Sequence, residues 1–346
     1  MELNDRIESI IGLGELLRGY QKNPNNPQYK LIDEASRQAF VENPWFTPDH
    51  IQYALKAWGD SLQQNLLEQW LNPYLQDLLI QKKSKTVGLI MAGNIPVVGL
   101  HDFLTVLISG HRVCAKLSSS DQRLIPALTT MLINIQPGWK EQIEFINWKL
   151  NNFDTIIATG SNNTSRYFEY YFGKYPHIIR KGRNSIAVLT GEEDGFALRG
   201  LASDIMLYFG MGCRSVSKIY VPKGYDFSKL EQALVPFARY ANHNKYFNNY
   251  TYYKTVLMLN NTPFIDNGFL SLVENSDLAS PVSLLHYQYY NQVEEIIPQI
   301  SRMKDSIQCI VSTLSMPFPT VLPGMAQTPA LWDYADGKDT MKFLLS

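Results

Sequence analysis

The chain has 346 residues, 45% of them hydrophobic and 18% charged, with 31 basic against 32 acidic side chains and a formal net charge of -1. This excludes disorder as its main character, and a balanced charge without blocks of like sign excludes the electrostatic footprint of a nucleic-acid binder, leaving a small molecule as the expected partner. The length suffices for two packed units, since single cores stop growing at about 250 to 300 residues.

From the start of the chain, Met1 to Tyr20 carries Glu2, Asp5, Glu8 and Glu15 among its apolar residues, which reads as a helix and not as a secretory leader. Residues 1–83 form a helical N-terminal segment, ending in an apolar-periodic run from about Pro48 to Lys82 through Ile51, Leu55, Trp58, Leu62, Leu66 and Trp70. Residues 84–196 change to short apolar runs separated by helical segments. Strands are expected near 86–92, 111–117, 142–147, 154–159 and 184–190, with helices near 97–109, 120–134 and 162–173. Such alternation predicts an α/β fold: a parallel, Rossmann-like sheet that binds ligands at the carboxyl ends of its strands. The apolar stretch Val87 to Gly110 holds Gly93, Asn94, Pro96, His101 and Asp102, polar groups costly in hydrocarbon, so no membrane span is expected. A second α/β unit is expected over 197–315, with a helix to Phe209 and strands near 216–222, 255–260, 282–288 and 307–313. Residues 316–346 read as a return segment.

Three cysteines, Cys114, Cys213 and Cys309, are odd in number and widely spaced, which fits a reducing, cytoplasmic compartment better than disulfides or a metal cluster. The six histidines show no ligand spacing, so no metal is expected. Cys114 and Cys309 fall inside strand patterns and read as core thiols. Cys213 follows Gly210-Met211-Gly212 and precedes Arg214, a setting that lets a ligand approach the backbone and favours a thiolate; a packed thiol is the alternative. Met91 to Gly99 places Asn94 between a strand end and a helix start. Lys116-Leu117-Ser118-Ser119-Ser120 ends the next strand with a lysine and three hydroxyls, where phosphate or ribose oxygens could bind. Thr159-Gly160-Ser161 closes a further strand, where Ser161 could serve only as a helix N-cap. The Tyr- and Asn-rich stretch Tyr240 to Tyr253 reads as surface or pocket lining.

In order and spacing these segments resemble the aldehyde dehydrogenase superfamily, over roughly residues 85–346. That family's Asn-Phe-Pro turn and Lys-Pro-Ser-Glu segment fall on Asn94-Ile95-Pro96 and Lys116-Leu117-Ser118-Ser119, separated by 116 - 94 = 22 positions. Its Thr-Gly-Ser strand end matches Thr159-Gly160-Ser161, and its Glu-Leu-Gly-Gly-Lys segment falls on Arg180-Lys181-Gly182-Arg183-Asn184. Its nucleophile falls on Cys213, 33 positions after Arg180, and its Glu-Ile-Phe-Gly-Pro-Val segment on Asp277-Leu278-Ala279-Ser280-Pro281-Val282. Within the superfamily the chain is most similar to the acyl-CoA reductase (LuxC) family.

The resemblance implies that Cys213 is the nucleophile and Asn94 an oxyanion-hole donor. It further implies that Lys116, Ser118, Ser119, Thr159, Gly160, Ser161 and Asp277 bind cofactor. Arg180 stands where hydrolytic members carry a glutamate base, and a guanidinium cannot take that role. Reduction of an acyl-CoA or other acyl thioester to aldehyde is therefore expected, with coenzyme A leaving. The rival readings are an acid-forming aldehyde dehydrogenase and an inactive scaffold. Ser119 replaces the carboxylate that would repel a 2'-phosphate, so NADPH is the expected cofactor. Asp277 replaces the glutamate that grips the nicotinamide ribose, with a shorter reach. The resemblance also implies a homo-oligomer, with Trp332 to Gly337 in the contact, and leaves room for a partner protein that delivers the acyl group.

Overall fold

Helix signals dominate the first 80 positions, and the computed structural model, which describes residues 1–23, 26–80 and 83–346, places five helices there. These are α1 (Leu3–Lys22), α2 (Lys30–Glu42), α3 (Pro48–Ser61), α4 (Gln64–Leu71) and α5 (Leu75–Leu79). The start of α3 shows why: Thr47 accepts the His50 N–H at 3.3 Å, Pro48 occupies the first turn, and Ile51, Ala54 and Leu55 are buried at helical spacing. The run from Pro48 is not one continuous element, since Leu62 ends α3 and Pro73, lacking an N–H, sits in the turn after α4. Its expected end at Lys82 lies outside the described residues.

The chain divides into two units, Met1–Lys181 with Ala330–Ser346, and Gly182–Pro329. The first unit contains a sheet of β1 (Thr86–Ile90), β2 (Arg112–Lys116), β3 (Ile143–Phe145), β4 (Thr155–Thr159) and β5 (His177–Arg180). Its order is β3-β2-β1-β4-β5, and every pairing is parallel. The connecting helices are α6 (Leu100–Ile108), α7 (Leu124–Ile135) and α8 (Asn162–Phe172). Strand order reverses between β1 and β4, so the carboxyl ends of these two strands flank the crevice where doubly wound sheets take their ligands. The stretch Val87 to Gly110 is β1, a turn and α6, and no helix among the described residues is long and apolar enough to cross a membrane. The expected strands did not include β5, a run of only four residues.

The final residues complete this first unit. Trp70 Nε1 donates to Tyr334 Oη at 2.8 Å, Arg180 Nη2 to Thr340 Oγ1 at 2.8 Å, and His111 Nε2 to the Leu344 carbonyl at 2.9 Å. Within the stretch Trp332 to Gly337, expected in a contact between subunits, Tyr334 is buried against Trp70, while Trp332 and Asp333 are exposed. The return segment is thus shorter than 316–346. Residues 316–329 bind the second unit, with Val321 N–H on the Ile310 carbonyl at 2.9 Å and Gly324 N–H on Asp204 Oδ2 at 2.6 Å.

The second unit is built on β6 (Asn184–Val188), β7 (Val216–Pro222), β8 (Phe264–Asp266), β9 (Ser271–Glu274), β10 (Leu284–Tyr290) and β11 (Ile307–Val311). Its order is β11-β6-β7-β10-β9-β8, parallel except for β8 against β9. Helices α9 (Gly195–Met206), α10 (Ser228–Leu234), α11 (Asn244–Leu259) and α12 (Ile297–Met303) complete it. Two expectations are corrected. The boundary falls after Lys181 and not after residue 196, because β6 pairs with β7 and β11 instead of extending the first sheet. The strand expected at 255–260 is the last turn of α11. His243 caps that helix by accepting the Tyr246 N–H at 3.2 Å, and Tyr246, Tyr250 and Leu257 are buried on one stripe. A short apolar run such as Thr255–Met258 has no period of its own to tell strand from helix.

Candidate active site

In the first unit, three expected segments lie side by side at the carboxyl edge of the sheet. Register pairs Ile90 with Lys116 on one side and with Ala158 on the other, so the Asn94 turn, Lys116-Ser118-Ser119 and Thr159-Gly160-Ser161 leave three adjacent strands at one level. Asn94 and Ser119 are exposed, while Lys116, Ser118, Thr159 and Gly160 are half-buried. The first two turns pack closely: a Cβ at position 93 would lie 2.5 Å from the Ser118 Cβ, so only glycine fits. Gly160 is held as tightly, since a Cβ there would meet Phe168 at 2.8 Å. Glycines packed to backbone distance beside exposed hydroxyls, a lysine and a switch point suit a dinucleotide's phosphates and ribose. Ser161 is exposed and caps α8, accepting the Thr164 N–H at 3.2 Å.

Sequence reasoning missed what fixes the Asn94 turn. Val97 has φ 52°, a left-handed conformation that a β-branched residue adopts only under constraint. The constraint is Asp121, buried at the start of the next helical segment, whose Oδ2 accepts the Val97 N–H at 2.8 Å. Burial pushes this carboxyl up to about 6, against two backbone hydrogen bonds that pull it down. Arg180, set by the resemblance at the base position, has its buried guanidinium paired with Asp102 and bonded to Thr340, so it is engaged inside the first unit.

In the second unit, Cys213 lies on the connection from α9 to β7, at the amino end of β7, and is the exposed member of the three cysteines. The approach is unusual: Tyr208, Phe209 and Gly210 have φ of 54°, 57° and 74°, three consecutive left-handed residues, two of them with side chains. Tyr208 and Phe209 each cost about 1–2 kcal/mol in this conformation, offset by burial of the Phe209 ring, which packs 4.3 Å from Tyr240 and 4.6 Å from His243 between centroids. The Tyr- and Asn-rich segment therefore backs the kink that precedes the cysteine.

Beyond the kink, Ser215 Oγ accepts the Gly212 N–H at 3.2 Å, and Gln327 Nε2 donates to Ser215 Oγ at 3.2 Å. Ser185, fully buried on β6, donates from Oγ to the Cys213 carbonyl at 2.9 Å. The same Oγ lies 3.1 Å from Cys309 Sγ, so Cys309, half-buried, is no core thiol. Cys114 is buried on β2, and burial raises its thiol pKa, which keeps it protonated. Arg214 Nη1 points to the Ala326 carbonyl at 3.5 Å. Asp204, fully buried on α9, holds that neighbouring segment by accepting the Gly324 and Ala326 N–H groups at 2.6 and 3.1 Å, and burial lifts its carboxyl to about 6.

Asp277 is exposed on the connection from β9 to β10. Ser217 Oγ contacts the Leu278 carbonyl at 2.8 Å and the Ser185 carbonyl at 3.3 Å. Through Ser185 the segment after Asp277 and the Cys213 carbonyl share one support.

Comparison with known proteins shows the family and the fold. The family model described as acyl-CoA reductase (LuxC) matches residues 27–241. A long-chain acyl-protein thioester reductase from Photorhabdus laumondii is 22% identical over 50% of this chain and 38% of its own length. One from Aliivibrio fischeri is 23% identical over 45% of this chain and 36% of its own length. The matches thus span little more than a third of these relatives. Among solved structures, aldehyde dehydrogenase 21 from Physcomitrella patens superposes with a TM-score of 0.66 at 10% identity, covering 92% of this chain and 74% of that one. The P. syringae indole-3-acetaldehyde dehydrogenase, in complex with NAD+, gives 0.64 at 12% identity, covering 92% and 73%. These likenesses establish the aldehyde dehydrogenase fold.

Proposed function

The chain belongs to the acyl-CoA reductase (LuxC) family, and on that premise we propose that it reduces a long-chain acyl thioester to the aldehyde with NADPH, through an S-acyl intermediate on Cys213. The observation that carries this reading is the exposed thiol of Cys213, set on a left-handed kink and anchored through its own carbonyl. The relatives are named for acyl-protein thioesters, so the donor is either acyl-CoA or an acylated protein thiol.

The Cys213 thiolate attacks the thioester carbonyl, and the tetrahedral oxyanion accepts hydrogen bonds from the Asn94 side-chain amide and the Cys213 N–H. Collapse expels the donor's thiolate and leaves the acyl group on Cys213. NADPH, when bound, supplies the hydride that reduces the acyl carbon. Breaking the C–S bond of the thiohemiacetal then releases aldehyde and returns Cys213 as thiolate. Lys116 and Ser119 would hold the adenosine ribose and its 2'-phosphate, Thr159, Gly160 and Ser161 would contribute to cofactor binding, and Asp277 would take the nicotinamide ribose. Arg180, paired with Asp102, supplies no general base to activate water against the intermediate.

Incubation with palmitoyl-CoA tests the proposal. Intact-mass analysis is expected to show one acyl adduct, absent from Cys213→Ala, and addition of NADPH to release aldehyde and no free acid. Acid formation with NAD+ from aldehyde, without reduction of the thioester, would replace the proposal with the acid-forming reading; no adduct on Cys213 would leave a scaffold.

A further inference from the structure

Lys218 is fully buried in the middle of β7, in the otherwise uncharged run Val216–Pro222. A charge in such a place costs several kcal/mol in lost hydration unless its protons are taken up. They are taken up by the Ser276 carbonyl at 2.6 Å and Gln288 Oε1 at 2.9 Å, with the Tyr220 ring 4.9 Å away. The neighbouring carbonyls are held in the same manner. His286 Nδ1, on β10, donates to the Asp277 carbonyl at 3.0 Å, and Ser217 Oγ, on β7, bonds the Leu278 carbonyl at 2.8 Å. Three buried side chains from two adjacent paired strands therefore grip three consecutive carbonyls, Ser276, Asp277 and Leu278. The Asp277 N–H is also fixed, on Asn275 Oδ1 at 2.8 Å. The peptide groups on both sides of Asp277 are thus immobilised while its carboxylate faces solvent.

Backbone clamped at every carbonyl around one exposed side chain is an arrangement for presenting that side chain. An aspartate reaches one methylene less far than a glutamate and depends more on where its Cα is held. Resting on the reading of Asp277 as the nicotinamide-ribose ligand, we propose that Lys218 is a positioning residue for cofactor binding, acting with His286 and Ser217 to hold Asp277 at the ribose.

The two half-reactions separate this role from a merely structural one. NADPH affinity is read by quenching or enhancement of its fluorescence, and acylation of Cys213 by rapid-quench mass analysis with palmitoyl-CoA. Lys218→Met and His286→Gln are each expected to weaken NADPH binding about tenfold, as loss of hydrogen bonds to a charged or buried donor does, while acylation stays within about twofold of the parent. Two variants on different strands guard against failure of one to fold. Equal loss in both half-reactions, or unchanged NADPH affinity in both variants, overturns the proposal. Asp277→Asn tells its failure from that of the underlying reading. Affinity lost in Asp277→Asn but kept in Lys218→Met overturns the role of Lys218 alone, whereas affinity kept in Asp277→Asn overturns the assignment of Asp277.

Discussion

The first unit carries its candidate site residues at the carboxyl ends of β1, β2 and β4, whereas the second places Cys213 at the amino end of β7. At a carboxyl edge the doubly wound topology already supplies open turns and helix starts, and the first unit needs only close-packed glycines and one buried carboxylate, Asp121, to shape them. At the amino edge nothing is supplied. The cysteine loop there requires a left-handed kink, hydroxyls at Ser185 and Ser215, and Asp204 behind the adjoining segment. An open edge is inherited with the topology; an exposed thiol at the other end is built residue by residue.

The sharpest way to break this contrast is at the kink. Phe209→Ala keeps the left-handed backbone and removes the ring that offsets it, and should lower stability to denaturant by about 3–5 kcal/mol; a loss under about 1 kcal/mol would mean that the kink stands without its backing. Asn94→Ala tests the first unit's chemical contribution. It should slow acylation of Cys213 by about a hundredfold, close to 3 kcal/mol, without changing NADPH affinity.

The two buried carboxylates allow a like-for-like test. Asp121 and Asp204 both rise from 3.8 to about 6 on burial. Between those values the unfolded chain has released protons that the folded chain still holds, so stability falls as pH rises through that window. Asp121→Asn and Asp204→Asn should each remove up to about 3 kcal/mol of that decline and flatten the slope of unfolding free energy against pH by about one proton. A slope unchanged by either substitution would show that the carboxylate titrates near its ordinary value. The smallest effect is expected at Ser185→Ala. Loss of one hydrogen bond to the Cys213 carbonyl should slow acylation by about five- to tenfold, and a deficit exceeding that of Asn94→Ala would invert the ranking of supports and chemistry.

What could be read in the sequence follows the same divide. Strand β7 falls on the residues expected, and the Asn94, Lys116 and Thr159 segments occupy one edge of a parallel sheet, because turn residues after apolar runs announce themselves. The supports of the cysteine did not. Ser185 and Ser217 are ordinary small polar residues in strands, and their partners are carbonyls up to 61 positions away, a separation no local pattern encodes. Lys218 did leave a signal, a single charge inside an apolar run, which calls for a specific partner whenever the run is a central strand. The left-handed Tyr208 and Phe209 left none, since aromatic residues do not mark positive φ as glycine does.

The first unit is completed by residues far along the chain: Tyr334 bonds Trp70, and Thr340 bonds Arg180. The second unit, Gly182–Pro329, is by contrast contiguous. During synthesis the second unit has all its strands before residue 330 is added, whereas the first must wait, with β1 to β5 already made but lacking their last partners. On the ribosome the contiguous second unit can therefore mature before the first is completed, reversing their order in the sequence.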